Sequence, residues 1–537
     1  MRRLLALALA CLVAAGAAAC TKRGAENAPS DELRVALPID PMQLNPILSQ
    51  NTIESFIGGI LFDELVTQDE RHNDVPDLAE AVPTTANGGI SRDGLTITYR
   101  LRHGVRWHDG APFTSRDVKF TWQAILNPNN DVVSRRGYDQ IASIDTPDDY
   151  TVVMHFKRVF APAIDTIFGE SDSPYRILPA HLLARYPSLN HIPFNAAPVG
   201  TGPYRFARWL RGDRILLTAN PRYFRGAPKI ARLTLLVITD ANTTGEQVRA
   251  HDADLALELT GPTYRDLAGA AGVERLAVPA PLYNAIAFNL ARAPLDDVRV
   301  RRALVEGMDR PSIVRQDTYG VGRLAVADLS PYYWAFDPSL QPVPYDPADA
   351  KRLLDAAGWL AGPDGVRRKN GRPLALQLAY GQGSDISQLY TVQIQQMYRA
   401  LGIDLEIKSY PFATLYATAA NGGIYQGGKF DLAVWSWVSG ADPDNASQWT
   451  CASIPPAGNN ITRYCSKDMD AAQMQALSTF DRSVRKRAYS TIERLLVRDV
   501  PEAFLYYRPL AYAYVPSLSA FAPNGISEGW NAQEWSR

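Results

Sequence analysis

Apolar residues follow two spacings along this chain, one typical of helices and one typical of half-buried strands. Helical spacing recurs at 51–65, 115–126, 298–308, 346–357, 385–401 and 481–499. Alternating or short apolar runs, which predict strands, recur at 33–37, 95–102, 151–156, 215–217 and 233–238. The sequence contains no internal repeat and no low-complexity segment. The pattern therefore predicts a mixed α/β fold.

The N-terminus follows a different pattern. Arg2 and Arg3 precede an apolar run over residues 4–19 that ends in small residues, which is the layout of a secretory signal peptide. This run of 16 residues is shorter than the roughly 20 that a membrane-spanning helix needs. We therefore predict a signal peptide over residues 1–19 and exclude it from the fold.

A cysteine stands directly after the predicted signal peptide. Residues 17–20, Ala-Ala-Ala-Cys, resemble a bacterial lipobox, in which Cys20 is acylated and becomes the first residue of the mature protein. The alternative is an ordinary secretory signal with Cys20 as an unmodified thiol. Residues 20–30 are mostly polar and small, so we expect a lipidated, flexible tether. No later segment is long and apolar enough to cross a membrane.

Length and charge narrow the class of protein. The 537 residues exceed what one hydrophobic core usually serves, so two or three domains are expected. Lys and Arg together number 55 against 56 Asp and Glu, and this balance argues against nucleic acid as a partner. The 25 tyrosines and ten tryptophans suit a large, adaptable pocket as well as a core.

The remaining cysteines predict a disulfide. Once Cys11 leaves with the signal and Cys20 takes the lipid, Cys451 and Cys465 form one pair that brackets a 15-residue loop. A disulfide there contributes about 3 kcal/mol in the chain-entropy model. A metal site needs more ligands than two cysteines, and no histidine follows His251. We predict a disulfide, no metal site and no cofactor.

One short motif suggests an enzyme. Residues 525–529, Gly-Ile-Ser-Glu-Gly, match the G-x-S-x-G pattern of hydrolases, with Ser527 as the nucleophile. That elbow needs a preceding strand and a later histidine, whereas Pro523 precedes the match and no histidine follows. A secreted hydrolase and a structural or adhesion protein remain as competing classes.

Five segments carry a family resemblance that covers essentially the whole mature chain. They are 99–122 (YRLRHGVRWHDGAPFTSRDVKFTW), 199–204 with 220–226, 288–310, 345–359 and 442–444. In this order they resemble the extracytoplasmic solute-binding proteins of the peptide/nickel ABC-transporter class, the dipeptide- and oligopeptide-binding family. The resemblance implies a protein without enzymatic activity that binds peptides in the periplasm or at the outer face of the cell membrane. It would deliver them as a monomer to an ABC permease in the cytoplasmic membrane.

The fold that the resemblance implies is a two-lobed periplasmic-binding-protein clamp with an inserted extra domain. Lobe one would comprise residues 31–62, 200–285 and 505–537. The inserted domain would take residues 63–199 and lobe two residues 286–504. Several chain crossings between the lobes would form a hinge, so that a ligand favours the closed state.

In the peptide-binding members of this family, an aspartate lies four residues before the proline of an Asp-Pro pair. This aspartate pairs with the peptide's α-ammonium group. Here Ser439 stands four residues before Pro443. A serine cannot supply the negative charge that a buried ammonium group requires. Either Asp442 or Glu258 takes this role, or the protein does not anchor a free N-terminus. An oligosaccharide or a metal chelate therefore stays open as the ligand.

Matching positions in the family predict the residues that contact the ligand. They are Asn51, Thr52, Glu258, Tyr283, Asn284, Trp435, Trp437, Ser439 and Asp442. Core packing is the alternative for the tryptophans, and a structural turn or surface role is the alternative for the others.

Overall fold

The computed structural model describes residues 31–49, 51–171, 173–382 and 385–537. The predicted signal peptide and the lipidated tether, Cys20 included, lie outside the described residues. Two large sheets organise this chain, one with seven strands and one with six. The predicted mixed α/β architecture is confirmed.

The first sheet is assembled from distant parts of the chain. Its strands, in spatial order, are Glu274–Val278, Leu510–Tyr514, Leu255–Ala256, Glu32–Leu37, Arg232–Val237, Arg214–Ala219 and Tyr204–Leu210. The strand Glu32–Leu37 is parallel to both of its neighbours, and the other pairs are antiparallel. Leu33, Val35 and Leu37 are fully buried, as expected for a central strand.

The second sheet lies between residues 282 and 507. Its strands, in spatial order, are Arg323–Leu324, Glu502–Tyr507, Leu282–Phe288, Leu432–Val438, Ala375–Gly381 and Asp404–Tyr410. The predicted lobe boundaries at residues 285 and 505 fall inside two of these strands. The chain thus crosses between the sheets at about 279–281 and 508–509, and the numbered division into lobes stays a prediction.

The segment 63–199 carries a small sheet of its own. Its strands are Thr96–Arg100, Thr151–Phe156 and Ile141–Asp148, with a separate pair formed by Val66–Gln68 and Asp74–Pro76. The helix Ser115–Leu126 begins at a capping box in which Thr114 and Asp117 satisfy each other's backbone N–H groups. The apolar residues of this segment join one continuous core with the first sheet.

Helices cover both large sheets. They are Thr52–Leu61, Ser115–Leu126, Ala163–Thr166, Ala180–Leu183, Ala241–Arg249, Gly261–Asp266, Val298–Glu306, Arg310–Asp317, Pro347–Ala356, Asp385–Ala400, Phe412–Leu415, Ala446–Trp449, Lys467–Leu477 and Arg482–Asp499. A further small sheet consists of Leu360–Ala361, Arg367–Lys369 and Arg372–Pro373. No helix among the described residues is long and apolar enough to cross a bilayer.

The second sheet separates two cores. Along the strand Leu282–Phe288, Tyr283, Ala285 and Ala287 pack into one core, whereas Ile286 and Phe288 pack into the other. This alternation follows from the two-residue period of a strand. Beside this sheet, Cys451 and Cys465 form the predicted disulfide, which is confirmed.

Candidate functional site

A cavity of about 280 Å³ lies where the first sheet, the second sheet and the segment 63–199 meet. We call it the central cavity. The residues that line it include Asn51, Thr52, Val133, Glu258, Val438, Ser439, Arg508 and Glu528. Apolar walls with a few polar groups are typical of a site for a small ligand.

Two of the predicted site residues lie at one end of this cavity because a helix begins there. Asn51 is the N-cap of the helix Thr52–Leu61, and its side-chain oxygen accepts a hydrogen bond from the backbone N–H of Glu54 at 2.9 Å. Thr52 is exposed, and both residues line the central cavity. The structure therefore brings Asn51 and Thr52 together with Glu258 and Ser439.

Glu258 is the acidic residue whose placement points to a ligand. It follows the strand Leu255–Ala256, and the next residue, Leu259, donates its backbone N–H to the carbonyl of Ala511 at 2.8 Å. The φ angle of Glu258 is +49°, a left-handed conformation that is costly for a residue other than glycine. Its Oε1 atom is buried and has no hydrogen-bond partner among the described residues. A buried carboxylate oxygen without a partner favours the binding of a cation or a hydrogen-bond donor.

A second glutamate, Glu528, lines the same cavity and differs from Glu258 in its protonation. Glu528 is 2% exposed, and its Oε1 accepts a hydrogen bond from the hydroxyl of Tyr512 at 3.3 Å. Burial, followed by the charge of Glu258, raises the pKa of Glu528 to about 8. Glu528 therefore holds a proton at neutral pH and adds no negative charge to the cavity.

Asp442 is already paired within the protein. Both of its carboxylate oxygens accept hydrogen bonds from Nη2 of Arg485, at 2.6 and 2.7 Å. The side chains of Asp442 and Arg485 are only 4% and 6% exposed. Asp442 borders a smaller cavity of about 30 Å³ that Trp437 and Ser439 also line. Because Arg485 neutralises it, Asp442 does not offer a free negative charge to a ligand.

Three of the predicted contact residues lie away from both cavities. The Tyr283 hydroxyl donates to Oε1 of Gln448 at 2.8 Å, and Trp435 packs with its ring centroid 5.6 Å from that of Tyr425. Both side chains are at most 5% exposed. Asn284 lies on the opposite face of the same strand, with a buried Oδ1 that has no partner among the described residues. Tyr283 and Trp435 pack into the same core beside the sheet, and Asn284 is half-buried. A ligand contact at these three residues stays a prediction.

Trp437 and Ser439 lie beyond this buried part of the strand. The Trp437 ring stacks on Trp435 at a centroid distance of 5.8 Å and reaches the smaller cavity. Ser439 borders both cavities, and its backbone N–H donates to the carbonyl of Pro281 at 2.9 Å. This hydrogen bond holds Ser439 next to the chain crossing at residues 279–281.

Sequence reasoning missed Arg508. It follows the strand Glu502–Tyr507, at the second crossing between the sheets, and its exposed side chain lines the central cavity. Within the described part of the chain, Arg508 has no ion-pair partner. A cationic residue at a crossing between two lobes was the signal that could have identified it.

Contacts between the segment 63–199 and residues 286–504 flank the cavities. They are the ion pair of Arg136 with Asp444, the ion pair of Arg482 with Asp74, and backbone hydrogen bonds from Ala441 N–H to the Glu170 carbonyl and from Ala161 N–H to the Leu477 carbonyl. Arg136 and Asp444 also line the smaller cavity. The central cavity is thus bordered by parts of the chain that are far apart in sequence.

The structure gives no support to a hydrolase. Ser527 is 4% exposed and lines a void of about 10 Å³ together with the charged residues Asp63, Glu64 and Arg176. Such a void is too small for any organic substrate. In the described ranges, no three metal-ligating side chains lie close enough to hold an ion.

The fold has two large sheets with the central cavity between them, which is the arrangement of a two-lobed binding protein. The family model "Bacterial extracellular solute-binding proteins, family 5 Middle" matches residues 74–458. The chain belongs to family 5 of the bacterial extracellular solute-binding proteins.

Individual relatives match over most of their length. The oligopeptide-binding protein AppA of Bacillus subtilis (strain 168) is 27% identical over 508 residues, which cover 92% of this chain and 90% of the relative. The di/tripeptide-binding protein 2 of Pseudomonas aeruginosa (strain UCBPP-PA14) is 29% identical over 465 residues, covering 81% and 82%.

Solved structures agree with this assignment. The Bacillus subtilis AppA structure in complex with a nonapeptide matches with a TM-score of 0.76 and 26% identity, covering 94% of this chain and 98% of that one. NikZ from Campylobacter jejuni in complex with Ni(L-His) matches with a TM-score of 0.79 and 26% identity, covering 95% and 100%.

Proposed function

We propose that this protein is the lipid-anchored, extracytoplasmic substrate-binding component of an ABC importer. It binds peptides between two lobes that close around them, and Glu258 pairs with the α-ammonium group of the peptide. The closed, loaded protein then delivers the peptide to the permease in the cytoplasmic membrane without changing it chemically.

The observation that carries this proposal is the buried, unpartnered Oε1 atom of Glu258 in the central cavity. An α-ammonium group supplies both a positive charge and three hydrogen-bond donors. A hydrogen bond between two charged groups is about twice as strong as one between neutral groups. A peptide N-terminus therefore satisfies Glu258 in a way that an uncharged sugar does not.

The surroundings of Glu258 support the same assignment. Asp442 is neutralised by Arg485, and Glu528 is protonated at neutral pH. Of the two glutamates that line the central cavity, Glu258 is thus the one that remains open to a cationic ligand. Ser439 stands where family members have their aspartate, and its side chain adds a neutral hydrogen-bonding group to the same cavity.

The size of the site and the names of the relatives favour a peptide. A cavity of about 280 Å³ is near the lower end of the range for small-ligand sites, so it suits the first residues of a peptide. Two of the relatives are described as binding oligopeptides and di- or tripeptides. One related structure contains a nonapeptide.

Closure is supported by the chain crossings. The backbone passes between the two large sheets at residues 279–281 and 508–509, and both crossings adjoin the central cavity. A ligand that touches both sides of such a hinge stabilises the closed state by its additional contacts there. Arg136 and Asp444, which pair across the cleft, are placed to form part of the closed contact.

The anchor is proposed from the sequence alone. Cys20 ends the lipobox-like segment, and residues 20–30 would tether the folded part to the membrane surface. Replacing Cys20 with serine should move the protein from the membrane fraction to the soluble fraction. Mass spectrometry of the mature N-terminus would identify the lipid, and an unmodified Cys20 in the wild type would contradict the anchor.

The test of the binding proposal is calorimetry with trialanine and N-acetyl-trialanine. We expect wild-type protein to bind the free amine about 10- to 100-fold more tightly, because a hydrogen bond to a charged group contributes about 1.5–3 kcal/mol. Glu258→Gln should lose most of this difference. Glu80→Gln is the matched control, since Glu80 is an exposed glutamate outside the cavity.

Two outcomes would contradict parts of this proposal. Equal affinity for the free and acetylated peptides would show that Glu258 does not recognise the α-ammonium group of the peptide. Protein purified under native conditions can be denatured and the released ligand identified by mass spectrometry. A sugar or a metal chelate would contradict the assignment of a peptide as the ligand, but not the assignment to the family.

A further inference from the structure

Four large apolar side chains are exposed along one cleft. Val133 is 53% exposed, Val438 47%, Phe412 54% and Tyr416 51%. Val133 and Val438 line the central cavity, and Val133 also borders a wider groove together with Phe412 and Tyr416. Exposed apolar surface that is concentrated in one cleft marks a binding site more often than a chance feature of the surface.

The wider groove has a volume of about 1,090 Å³. Residues 128–135 form one wall, and the short helix Phe412–Leu415 with Tyr416 forms the other. We call it the aromatic groove. Because Val133 belongs to both spaces, the aromatic groove continues directly from the central cavity.

The two aromatic rings of this groove pack against other aromatic rings. The rings of Phe412 and Tyr416 are nearly parallel, at 8°, with centroids 6.1 Å apart. Tyr416 stacks further on the buried Trp435 at 6.4 Å and meets Tyr425 edge-on at 5.1 Å. Tyr416 therefore packs on two buried rings, and Phe412 stacks on Tyr416. Such a platform loses little conformational freedom when a ligand packs on it.

The charges at the groove do not favour an ionic ligand. Arg135 donates from Nη2 to the carbonyls of Asn127 and Asn130, at 3.1 and 2.9 Å, and Asp131, of opposite charge, lines the same groove. The groove thus offers apolar and aromatic surface with nearly balanced charge.

We propose that the aromatic groove is a second subsite, which holds the part of the peptide that extends beyond the central cavity and selects large apolar or aromatic side chains there. This inference rests on the proposed function, because the occupant is the same peptide whose amine lies at Glu258. What it adds is that the protein prefers peptides whose downstream residues have large apolar or aromatic side chains.

The test compares pentaalanine with pentaalanines that carry one phenylalanine at position 3, 4 or 5. For wild-type protein, at least one phenylalanine peptide should bind about 10-fold more tightly than pentaalanine, as expected for burying a large apolar side chain. In the Phe412→Ala/Tyr416→Ala variant this affinity ratio should fall to below about 3-fold. Leu360→Ala removes an equally exposed apolar side chain outside the groove, and should keep the wild-type ratio.

The outcomes separate the two proposals. A ratio near one in wild-type protein, with the free amine still required, would overturn the aromatic subsite and leave the proposed function standing. No binding of any of the peptides would refute the proposed function itself. A dimer that the double substitution abolishes, with an unchanged affinity ratio, would assign the groove to a second copy of the chain and also overturn the inference. Thermal unfolding of each variant checks that it is folded.

Discussion

Replacing Arg485 with methionine should destabilise the protein strongly, because it leaves Asp442 buried without its cation. Arg485 lies on the helix Arg482–Asp499, and its Nε also donates to the carbonyl of Ala476 at 2.9 Å. Methionine keeps most of the length of the side chain but removes the charge and every donor. The change therefore isolates the electrostatic role of this residue.

The expected magnitude follows from the burial of the pair. Removing one partner of a buried ion pair costs about 3–5 kcal/mol. For a cooperative unit of 150–250 residues, each 1 kcal/mol lowers the melting temperature by about 2–4 °C, so the shift should be about 6–20 °C. The loss in the free energy of unfolding should be smaller at pH 5 than at pH 8. At pH 5 the carboxyl group of Asp442, which has lost its cation, can take up a proton.

Urea and thermal unfolding of the variants would measure this effect. The double substitution Asp442→Asn/Arg485→Met should recover part of the loss, because it leaves no buried charge. Arg352→Met is the control: Arg352 is 75% exposed in its pair with Asp349, so its loss should be below about 1 kcal/mol. A loss below 1 kcal/mol for Arg485→Met, or a double variant no more stable than the single one, would refute this reasoning.

Three further predictions concern stability. Burial raises the pKa of Glu528 to about 8, so the folded protein retains a proton that the unfolded chain releases above its ordinary pKa. The free energy of unfolding should therefore fall between about pH 5 and pH 8, and Glu528→Gln should remove up to about 1.4 kcal/mol per pH unit of that slope in urea titrations. Joint replacement of Cys451 and Cys465 by serine should cost about 3 kcal/mol, and a reductant should reproduce the loss only in wild-type protein. Gly200→Ala should cost about 3 kcal/mol or prevent folding, because its Cβ would lie 1.8 Å from a backbone carbonyl oxygen. Gly58→Ala is the control, since the nearest atom to its Cβ would lie at 3.9 Å. It should be neutral or stabilising by about 0.5 kcal/mol in the same assay.

Some local elements could be predicted closely from the sequence, although no strand of the second sheet was among them. The helix Ser115–Leu126 has the predicted bounds, and the strand Thr151–Phe156 does as well. Both carry their signals within a few residues, namely an N-terminal capping box in the first case and alternating apolar positions in the second. The disulfide followed from the same kind of reasoning, since the chain has few cysteines.

The candidate site was predictable only in part. Asn51, Thr52, Glu258 and Ser439 line the same central cavity, and their role as ligand contacts stays a prediction. The sequence could not show that Arg485, 43 residues further along, neutralises Asp442. Pairing of charges across such separations depends on how helices pack, and no local pattern records it.

The sequence by itself determined several helices and strands, the pairing of two cysteines and the family that the chain resembles, because these depend on neighbouring residues and on short motifs. The strands of the second sheet were not among the predicted elements. Only the tertiary structure decided which face of each strand meets a core and which meets the cleft. Tyr283 and Trp435 are buried for that reason, whereas Val133 and Tyr416 are left exposed along the aromatic groove. A side chain's free energy in the fold depends on what lies across from it, and chain segments hundreds of residues apart supply those neighbours.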